Sequence, residues 1–540
     1  MVKLSATRYY GDMDLFKQAQ TYHFQGQFHE AKKCYEACLC ALPTHSEALH
    51  GLGLLHVQLS EYDTALLYLK EAITLSPTTP TLHNHLGNVL KKCGRMEEAL
   101  QAFHEALRLL PDYSDALNNA GNVYFAQLHY QEALIFYQKA LALKPHHTEA
   151  LYNQGLCQVK LEQGDAALHS FQTLLKNTGE HFGAHYQLGV LHFKQGAYAK
   201  AITHFRAALF IHPSHMEAHM NIGHAHLRNN TVNEALLHYQ YALDLDNNNV
   251  EAHYNLAHIA LDKNNLDLAI SHYLQVIRIA PHHFAAHNNV GIAFIKKNAK
   301  SLALKHLLQA QALESHHVSL NYSIKALQNS TDIESAPTEY IKALFDNYAE
   351  HFDTHILSGL EYTANAHCHR ALQTITQLPH KKWCIADLGC GTGLCGPFFK
   401  PHAATLIGID LSPNMLQKAR EKNMYDALIE ADIQDYLTQH PHHFDCLVAA
   451  DVLVYTGNID PILKAAAMAL KPHGFFVFSV EIATNADFCI TPSGRYAHSA
   501  PYLLRVAQEN GFMSLLTNTE TTRLQFGKEV KGFIVVLKKT

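Results

Sequence analysis

The chain has 540 residues, which is too long for a single buried core, so we expect at least two domains. Its 42 basic and 48 acidic side chains give a net charge of −6, which argues against nucleic acid or an anionic membrane as a partner. We find no apolar run near the roughly 18 residues of a membrane span, no signal-peptide core at residues 1–12, and no paired metal-ligand spacing among the eleven cysteines. We therefore expect a cytoplasmic protein without a metal site.

Three sequence positions recur with a period of 34 residues over the first 317 residues. The first is alanine, at Ala31, Ala65, Ala99, Ala133, Ala167, Ala201, Ala235, Ala269 and Ala303. An aromatic residue follows most of them by four positions, at Tyr35, Phe103, Tyr137, Phe171, Phe205, Tyr239 and Tyr273. A small residue precedes most of them by twelve positions, at Gly53, Gly87, Gly121, Gly155, Gly189, Gly223, Ala257 and Gly291. Small residues let antiparallel helices approach closely, and the aromatic ring fills the gap beside them.

Prolines end most of these units, because proline cannot continue a helical hydrogen-bond pattern. Together these positions resemble the tetratricopeptide repeat, in nine contiguous copies over residues 12–317. The resemblance implies an α-solenoid, a superhelix with a concave groove, in which each repeat is stable only against its neighbours. We assign residues 318–337 to a capping helix and a linker, and residues 338–540 to a second domain.

The sixth residue of the later repeats is an amide, on the face that such repeats turn inward. These residues, called the amide positions below, are Asn119, Asn153, Gln187, Asn221, Asn255 and Asn289. An amide both donates and accepts, so it can pair with a peptide backbone without reading its sequence. The pattern is similar to the asparagine ladder of O-linked N-acetylglucosamine transferases, which implies a protein or an extended peptide as the partner. The alternative is that these amides form hydrogen bonds between neighbouring helices.

Histidine is abundant, with 42 residues, and many lie at repeat ends, such as His146-His147 and His282-His283. Cysteine and aspartate are not interspersed with them in a metal-ligand pattern, so we do not expect a metal site. We expect partial protonation of histidines near pH 6 instead.

A glycine-rich loop, Asp387-Leu388-Gly389-Cys390-Gly391-Thr392-Gly393, follows a short apolar strand at residues 383–386. A second strand follows and ends at Asp410, about 20 residues past the first glycine. The loop allows close approach of a ligand to backbone amides, and a carboxylate at the second strand end can accept hydrogen bonds from ribose hydroxyls. This spacing predicts a site for a nucleoside-containing cofactor.

The loop also contains a dinucleotide-type pattern at Gly391, Gly393 and Gly396. However, Asp387 beside the loop would repel a pyrophosphate and attract a sulfonium. The loop, Asp410 and the following Leu411-Ser412-Pro413 resemble the class I S-adenosylmethionine-dependent methyltransferases. The resemblance implies a Rossmann-like α/β domain with a seven-stranded sheet and S-adenosyl-L-methionine as cofactor. It implies cofactor contacts from Asp387, Gly389, Cys390, Gly391, Gly393, Asp410, Leu411, Asp432, Ile433 and Ala450.

An amphipathic helix at residues 340–357 precedes this domain and carries aromatic residues at helical spacing. It resembles the helix whose aromatics cover the cofactor in many of these enzymes, and plain core packing is the alternative. For a general base we select Asp451, after the fourth strand, and His498, in the Gly494–Ser499 run. Each could instead be a structural hydrogen-bonding residue. The fourth strand ends without an Asn-Pro-Pro-Tyr signature, which argues against amide or base-nitrogen methylation.

Taken together, the chain resembles the predicted methyltransferases of bacteria that carry tetratricopeptide repeats. We expect a methyltransferase whose repeat domain recruits a protein or peptide. Two alternatives stay open: an enzyme that methylates a small molecule and uses its repeats for localisation, and a repeat scaffold with a vestigial cofactor domain. The intact glycine loop and Asp410 argue against the scaffold.

Overall fold

The computed structural model describes residues 14–328, 334–350, 352–354, 356–357, 362–484, 486–491, 493–525 and 528–540. The chain forms two compact units, residues 1–252 and 253–540. The division falls inside a repeat, whereas the sequence analysis placed the boundary at residues 317–338. Positions 12–13 of the first repeat, 329–333 of the linker, and 351 and 355 of the amphipathic helix lie outside the described residues. No helix of the described part is long and apolar enough to cross a membrane.

The first unit is built from pairs of helices that follow the 34-residue period. After a helix at residues 14–24, they are Phe28–Ala41, Ser46–Gln58, Tyr62–Leu75, Pro80–Lys92, Met96–Leu109, Ser114–Ala126, Tyr130–Leu143, Thr148–Lys160, Gly164–Thr178, Phe182–Lys194, Tyr198–Ile211, Met216–Arg228 and Val232–Leu245. The helix Val250–Asp262 spans the division between the units. Leu266–Ile279, Phe284–Lys296 and Lys300–Leu313 continue the pattern in the second unit. The predicted α-solenoid is confirmed.

Close packing explains the small and aromatic positions of each repeat. A Cβ atom added to Gly87 would lie 2.6 Å from the Phe103 ring, and one added to Gly155 would lie 2.5 Å from the Phe171 ring. Real atoms cannot approach so closely, so a larger side chain would push the helices apart. The recurring alanines, such as Ala99, are fully buried. The 34-residue pattern is therefore a pattern of helix-packing contacts.

Histidine pairs join the two helices of several repeats. The Nδ1 atoms of His219 and His238 are 3.1 Å apart, and Nε2 of His219 lies 2.9 Å from the Pro213 carbonyl oxygen. A carbonyl only accepts, so His219 carries its proton on Nε2, and His238 must donate from Nδ1 to the remaining lone pair. Burial lowers the pKa of His238 to about 4, with the nearby His219 as a second cause.

Burial likewise lowers the pKa of His204, paired with His185, to about 4. The expectation of protonation near pH 6 is therefore wrong for His204 and His238. At repeat ends a different role is found, because Nδ1 of His147 and of His283 accepts a hydrogen bond from the first turn of the following helix. A side-chain acceptor at this position satisfies a backbone N–H that the helix leaves unpaired.

We expect acidification from pH 6.5 to 4.5 to lower the free energy of unfolding by about 1–2 kcal/mol for each of these two pairs, after a discount for partial exposure. The pKa of His204 and of His238 is lowered in the folded state, so the unfolded chain takes up protons first. Stability is then full above pH 6.5 and is lost as the pH falls towards 4. Urea unfolding followed by circular dichroism measures the loss.

The variant His204→Gln with His238→Gln should lose less stability on acidification than the unsubstituted chain. His169→Gln is the control, because His169 is exposed on a repeat helix. An identical pH dependence in the double variant and the unsubstituted chain would show that these pairs do not set the acid response.

The capping helix Val318–Gln328 packs against the α/β part of the second unit. Tyr322 is buried, its hydroxyl donates a 2.8 Å hydrogen bond to the Gly494 carbonyl, and its ring centroid lies 4.6 Å from that of Tyr340. Tyr496 belongs to the same buried cluster. The capping helix is thus part of the core of the second unit. This agrees with a division of the chain into two units that lies before this helix.

A mixed sheet forms the centre of the α/β part. Its strands are β1 Trp383–Leu388, β2 Ala403–Asp410, β3 Ala427–Glu430, β4 Phe444–Ala449, β5 Leu470–Ile482, β6 Phe488–Ile490, β7 Tyr496–His498, β8 Phe512–Gln525 and β9 Lys528–Lys539. Strands β3-β2-β1-β4-β5 are parallel neighbours in that order, and β9 and β8 continue the sheet antiparallel from β5. These seven strands form the predicted sheet. In the described residues β7 and β6 add two short strands, with β7 parallel to β5.

The helices of the α/β part lie between these strands or before β1. They are Thr338–Tyr348, Phe352–Thr354, Ala364–Ile375, Gly396–Phe399, Pro413–Glu421, Ile433–Thr438, Asp460–Ala469 and Ala500–Glu509. Residues 471–474 form a bulge within β5. Leu470 pairs with Phe444 and Phe475 with Cys446, so the intervening residues bulge out without ending the strand.

Candidate active site

A cavity of about 420 Å³ lies at the carboxyl ends of β1, β2 and β4. In open α/β sheets this is the edge at which ligands bind. Its wall combines the glycine loop, the end of β2, the turn after β4 and the segment before the sheet. Eight of the predicted cofactor residues line it: Gly389, Cys390, Gly391, Asp410, Leu411, Asp432, Ile433 and Ala450.

Asp410 fixes the glycine loop against the end of β2. Its Oδ2 accepts a 2.8 Å hydrogen bond from the Gly391 amide, and its Oδ1 accepts a 2.9 Å hydrogen bond from the Ser412 amide. Gly391 has a φ of +52°, and a Cβ there would meet no atom within 4 Å, so the backbone faces open space. Burial raises the pKa of Asp410. The loop and the carboxylate thus form one surface for a ligand.

Asp387 and Gly393, which the sequence analysis also selected, do not line the cavity. Asp387 is 2% exposed and accepts a 2.6 Å hydrogen bond from the Tyr425 hydroxyl. Burial raises the pKa of this carboxyl to about 7. Successive strand residues point to opposite faces, and this alternation explains how Asp387 can precede the loop and still lie behind it. A Cβ on Gly393 would lie 2.9 Å from the Tyr425 ring, so this glycine is required for packing.

The helices Thr338–Tyr348 and Phe352–Thr354, called the roof segment below, contribute an apolar wall to the cavity. The apolar lining residues of the roof segment are Ile341, Phe345, Tyr348 and Phe352, and Ile356 lies just after it. The edge of the Phe345 ring meets Tyr455 at a centroid distance of 5.6 Å. Because these side chains line the cavity, they favour a role in covering a bound cofactor over a role in core packing alone.

Polar contacts hold the roof segment to the sheet side of the site. Asp346 accepts a 2.5 Å hydrogen bond from the Ser412 hydroxyl, next to Asp410. Asp353 forms a 2.6 Å ion pair with Lys422, and Glu350 forms a 3.1 Å ion pair with Lys418. The sequence analysis identified the aromatic residues and missed these acidic partners. The signal in the sequence is one of complementary charge: acidic residues lie in and next to the roof segment, and lysines lie at positions 418 and 422.

Asp451 lines the cavity directly after β4 and belongs to a buried group of four charges. Arg495 and Arg523 both contact Asp451, and both also contact Glu481, at 2.7 Å and 2.6 Å. Burial acts to raise the pKa of Asp451, but the two guanidinium groups outweigh it and hold the pKa below its usual range. A carboxylate stabilised in this way is a poor proton acceptor.

Models of known protein families match both parts of the chain. The model of a methyltransferase domain matches residues 386–478. Models of the tetratricopeptide repeat match residues 78–146, 152–215, 207–250 and 250–283, and a model of anaphase-promoting complex, cyclosome, subunit 3 matches residues 24–106. The chain carries tetratricopeptide repeats and a methyltransferase domain.

Curated relatives and solved structures resemble single parts of the chain. The ubiquinone biosynthesis O-methyltransferase of Yersinia pestis (strain Pestoides F) is 26% identical over 126 residues, 23% of this chain and 50% of that protein. The chain thus spans about half the length of the curated relatives it matches. The tetratricopeptide repeat protein YrrB is 27% identical, with a TM-score of 0.32 over 34% of this chain and 95% of its own. A provisionally assigned S-adenosylmethionine-dependent methyltransferase from Listeria monocytogenes is 20% identical, with a TM-score of 0.27 over 32% and 99%.

His498 of the methyltransferase domain does not reach the cavity. Its side chain is fully buried on β7, and its Nε2 donates to the carbonyl oxygens of Thr456 and Gly457 at 2.9 Å and 3.0 Å. Burial lowers the pKa of His498 to about 4. These contacts match the structural alternative stated above for this residue, and they hold the turn after β4.

Cavity residues that were not predicted from the sequence come from two distant segments. Arg495 lines the cavity, although only its neighbour His498 in the Gly494–Ser499 run was selected. Tyr455 lies beneath the Arg495 guanidinium at 5.4 Å, and Asn458 follows in the same turn. Burial raises the thiol pKa of Cys390 and Cys395 well above the usual range, so neither thiol is activated as a nucleophile.

The amide positions of the tetratricopeptide repeats are half-buried, and four of the six donate hydrogen bonds to the preceding repeat. Asn119 donates to Asn84 at 3.0 Å, Asn221 to the Tyr186 hydroxyl at 2.9 Å, and Asn289 to the Tyr254 hydroxyl at 3.1 Å. Asn153 likewise donates to Asn118 and Asn122. This is the inter-helix role given above as the alternative. Since an amide has two N–H donors and an acceptor oxygen, the single bond of Asn119 or of Asn221 leaves capacity for a ligand.

Proposed function

We propose that the chain transfers a methyl group from S-adenosyl-L-methionine and that its repeats bind the protein or extended peptide that is modified. The observation that carries the proposal is the wall of the cavity, where the glycine loop and the Asp410 carboxylate form one surface at the strand ends. A carboxylate in that position suits the two hydroxyls of a ribose. When bound, the cofactor supplies an electrophilic methyl group on a positively charged sulfur.

The charges of the wall fit this cofactor better than a dinucleotide. Asp410, Asp432 and Asp451 line the cavity, whereas Arg495 is the one cationic side chain among the described lining residues. Arg495 is itself paired with Asp451 and Glu481. A pyrophosphate would meet net repulsion from this wall, and a sulfonium would meet attraction. The apolar wall of the roof segment would exclude water and so favour methyl transfer.

Recruitment of a protein or peptide is supported by the spacing of the amide positions. They recur in successive repeats, and Asn119 and Asn221 each use only one of their two N–H donors on the preceding repeat. Amides at regular intervals match the repeating polar groups of an extended backbone. Binding in the repeats would raise the local concentration of a tethered acceptor to about millimolar.

The test is a change of Asn221, Asn255 and Asn289 to Ala in the full chain, followed by incubation with cell extract and cofactor labelled in the methyl group. We expect labelling of macromolecules to fall about 10- to 100-fold, as for the loss of two or three hydrogen bonds. Binding of S-adenosylhomocysteine should not change, because none of the three residues lines the cavity. Calorimetry and scintillation counting of the separated fractions measure the two quantities.

The matched control changes Gln101, Gln138 and Gln240 to Ala, because these exposed amides lie on the second helices of their repeats. Circular dichroism melting shows whether either variant has lost its fold. Equal labelling of one small metabolite by the unsubstituted chain and both variants would favour the small-molecule enzyme. Absence of any cofactor binding would favour the repeat scaffold.

A further inference from the structure

The cavity has a second end, away from the ribose-binding carboxylate. Asp410 ends β2, whereas Arg495 precedes β7, and the sheet order is β2-β1-β4-β5-β7. The Arg495 guanidinium, however, contacts Asp451, which follows β4, and β4 is two strands from β2. At about 4.8 Å per strand, the two ends of the cavity therefore lie roughly 10 Å apart. This second end, formed by Arg495, Tyr455 and Asn458, is called the acceptor end below.

Arg495 is held rigidly and retains unused donors. Its Nε donates to Glu481 at 2.7 Å, one Nη donates to Asp451, and the other lies 3.4 Å from the Tyr455 hydroxyl. These bonds use three of the five N–H groups of a guanidinium. Two N–H groups are therefore left for a ligand on a cation whose side chain is 15% exposed. A guanidinium with free N–H donors can bind a carboxylate.

The carboxylates at the acceptor end already accept hydrogen bonds: Glu334, which also lines the cavity, accepts one of 3.2 Å from Asn458. The described lining residues include no histidine and no lysine. Asp451 is engaged by two guanidinium groups, and burial raises the pKa of the Tyr455 hydroxyl. A hydroxyl, thiol or ammonium acceptor would need a base to take its proton. An acceptor that carries no proton would not.

We propose that the methyl acceptor is a carboxylate group bound by Arg495 at the acceptor end of the cavity. This inference rests on the proposed S-adenosylmethionine-dependent activity. A carboxylate oxygen attacks the methyl carbon, a carbon–oxygen bond forms, the carbon–sulfur bond breaks, and its electron pair stays on sulfur. The products are a methyl ester and S-adenosylhomocysteine, and no proton is released. Three kinds of molecule carry such a carboxylate: an acidic side chain of a protein, the C-terminus of a protein chain, and a small carboxylic acid.

The apolar wall of the roof segment favours this reaction. A carboxylate and a sulfonium carry opposite charges, and the transfer converts both into neutral groups. Removing water strengthens the attraction between the reactants, and the transition state loses charge, so a dry cavity lowers its solvation cost. The ester no longer carries the charge that Arg495 attracts. It therefore binds more weakly than the acid, which favours its release.

The first test examines the product of the full-length protein. Cell extract is incubated with cofactor tritiated in the methyl group, split into macromolecular and small-molecule fractions, and treated at pH 10–11. Methyl esters release volatile methanol under alkali, whereas N-methyl, S-methyl and ether groups do not. We expect most of the incorporated label to become volatile. Its fraction of origin identifies a protein carboxylate or a small acid as the source. Alkali-stable label would overturn the inference.

The second test measures binding without turnover. Saturation-transfer nuclear magnetic resonance compares benzoate with the uncharged benzamide in the presence of S-adenosylhomocysteine. We expect a preference for benzoate that falls about 10-fold or more in Arg495→Gln, less in Arg495→Lys, and not at all in Arg505→Gln, an exposed arginine outside the cavity. Equal binding of the two probes to the unsubstituted chain would contradict a carboxylate site.

Failure of the two proposals can be told apart. If calorimetry shows no binding of S-adenosylhomocysteine, the proposed function itself is wrong. If the cofactor product binds and label is incorporated in an alkali-stable form, the methyltransferase activity stands and the carboxylate acceptor is wrong.

Discussion

Asp410→Ala is expected to weaken binding of S-adenosyl-L-methionine to the full chain by about 1.5–3 kcal/mol, or roughly 10- to 150-fold. Two effects add. The variant removes the carboxylate available to a ribose, and it leaves the amides of Gly391 and Ser412 without their acceptor. The glycine loop would then lose its fixed position. Isothermal titration calorimetry with the cofactor and with S-adenosylhomocysteine measures the change.

Asp426→Ala is the matched control. Its carboxylate also accepts a backbone hydrogen bond on β2, from the Leu406 amide at 2.7 Å, but it does not line the cavity. The Asp426→Ala variant should bind the cofactor with the same affinity as the unsubstituted chain. Tight binding of NAD with no binding of S-adenosyl-L-methionine would contradict the assignment of the cofactor.

Tyr322→Ala is expected to lower the free energy of unfolding of the second unit by about 3–5 kcal/mol, the usual cost of removing a large buried side chain. The ring packs against Tyr340, and the hydroxyl holds the Gly494 carbonyl next to Arg495. Tyr322 does not line the cavity, yet methyl transfer should also fall. Tyr322→Phe, which keeps the ring, should cost about 1–2 kcal/mol.

Hydrogen exchange of residues 493–498 is the direct readout, because these residues follow the contact that Tyr322 makes. The control is Phe210→Ala, which removes a repeat aromatic that is 78% exposed and should change the stability little. Unchanged exchange of residues 493–498 in Tyr322→Ala would show that the capping helix does not support the acceptor end.

The sequence predicts well those features whose residues are close in the chain or periodic. A packing contact such as that of Gly87 with Phe103 recurs in five successive repeats, so one physical constraint appears many times in the sequence. The glycine loop and Asp410 are separated by one strand crossing. Their spacing follows from the strand–turn–strand geometry, and the structure brings them together as expected.

The acceptor end could not be predicted in the same way. Asp451, Glu481, Arg495 and Arg523 come from four separate segments, and the sheet order that joins them includes two short strands without an apolar pattern of their own. His498 was selected as a candidate base for its chemistry alone. Its burial depends on strand β7, which was not predicted from the sequence. Asp387 was predicted to contact the cofactor but is buried in the core. Side chains alternate between the two faces of a strand, so a shift of one residue decides between the cavity wall and the core.

The anchoring of the capping helix by Tyr322 has a consequence for how such chains vary in length. Whole 34-residue units could be gained or lost before residue 253 without altering any contact within residues 253–540. Duplication of a repeat that carries an amide position would add another such position and leave the cavity intact. The number of repeats and the transfer chemistry can therefore change independently in evolution. The capping helix, in contrast, must change together with the residues around Gly494 that it contacts.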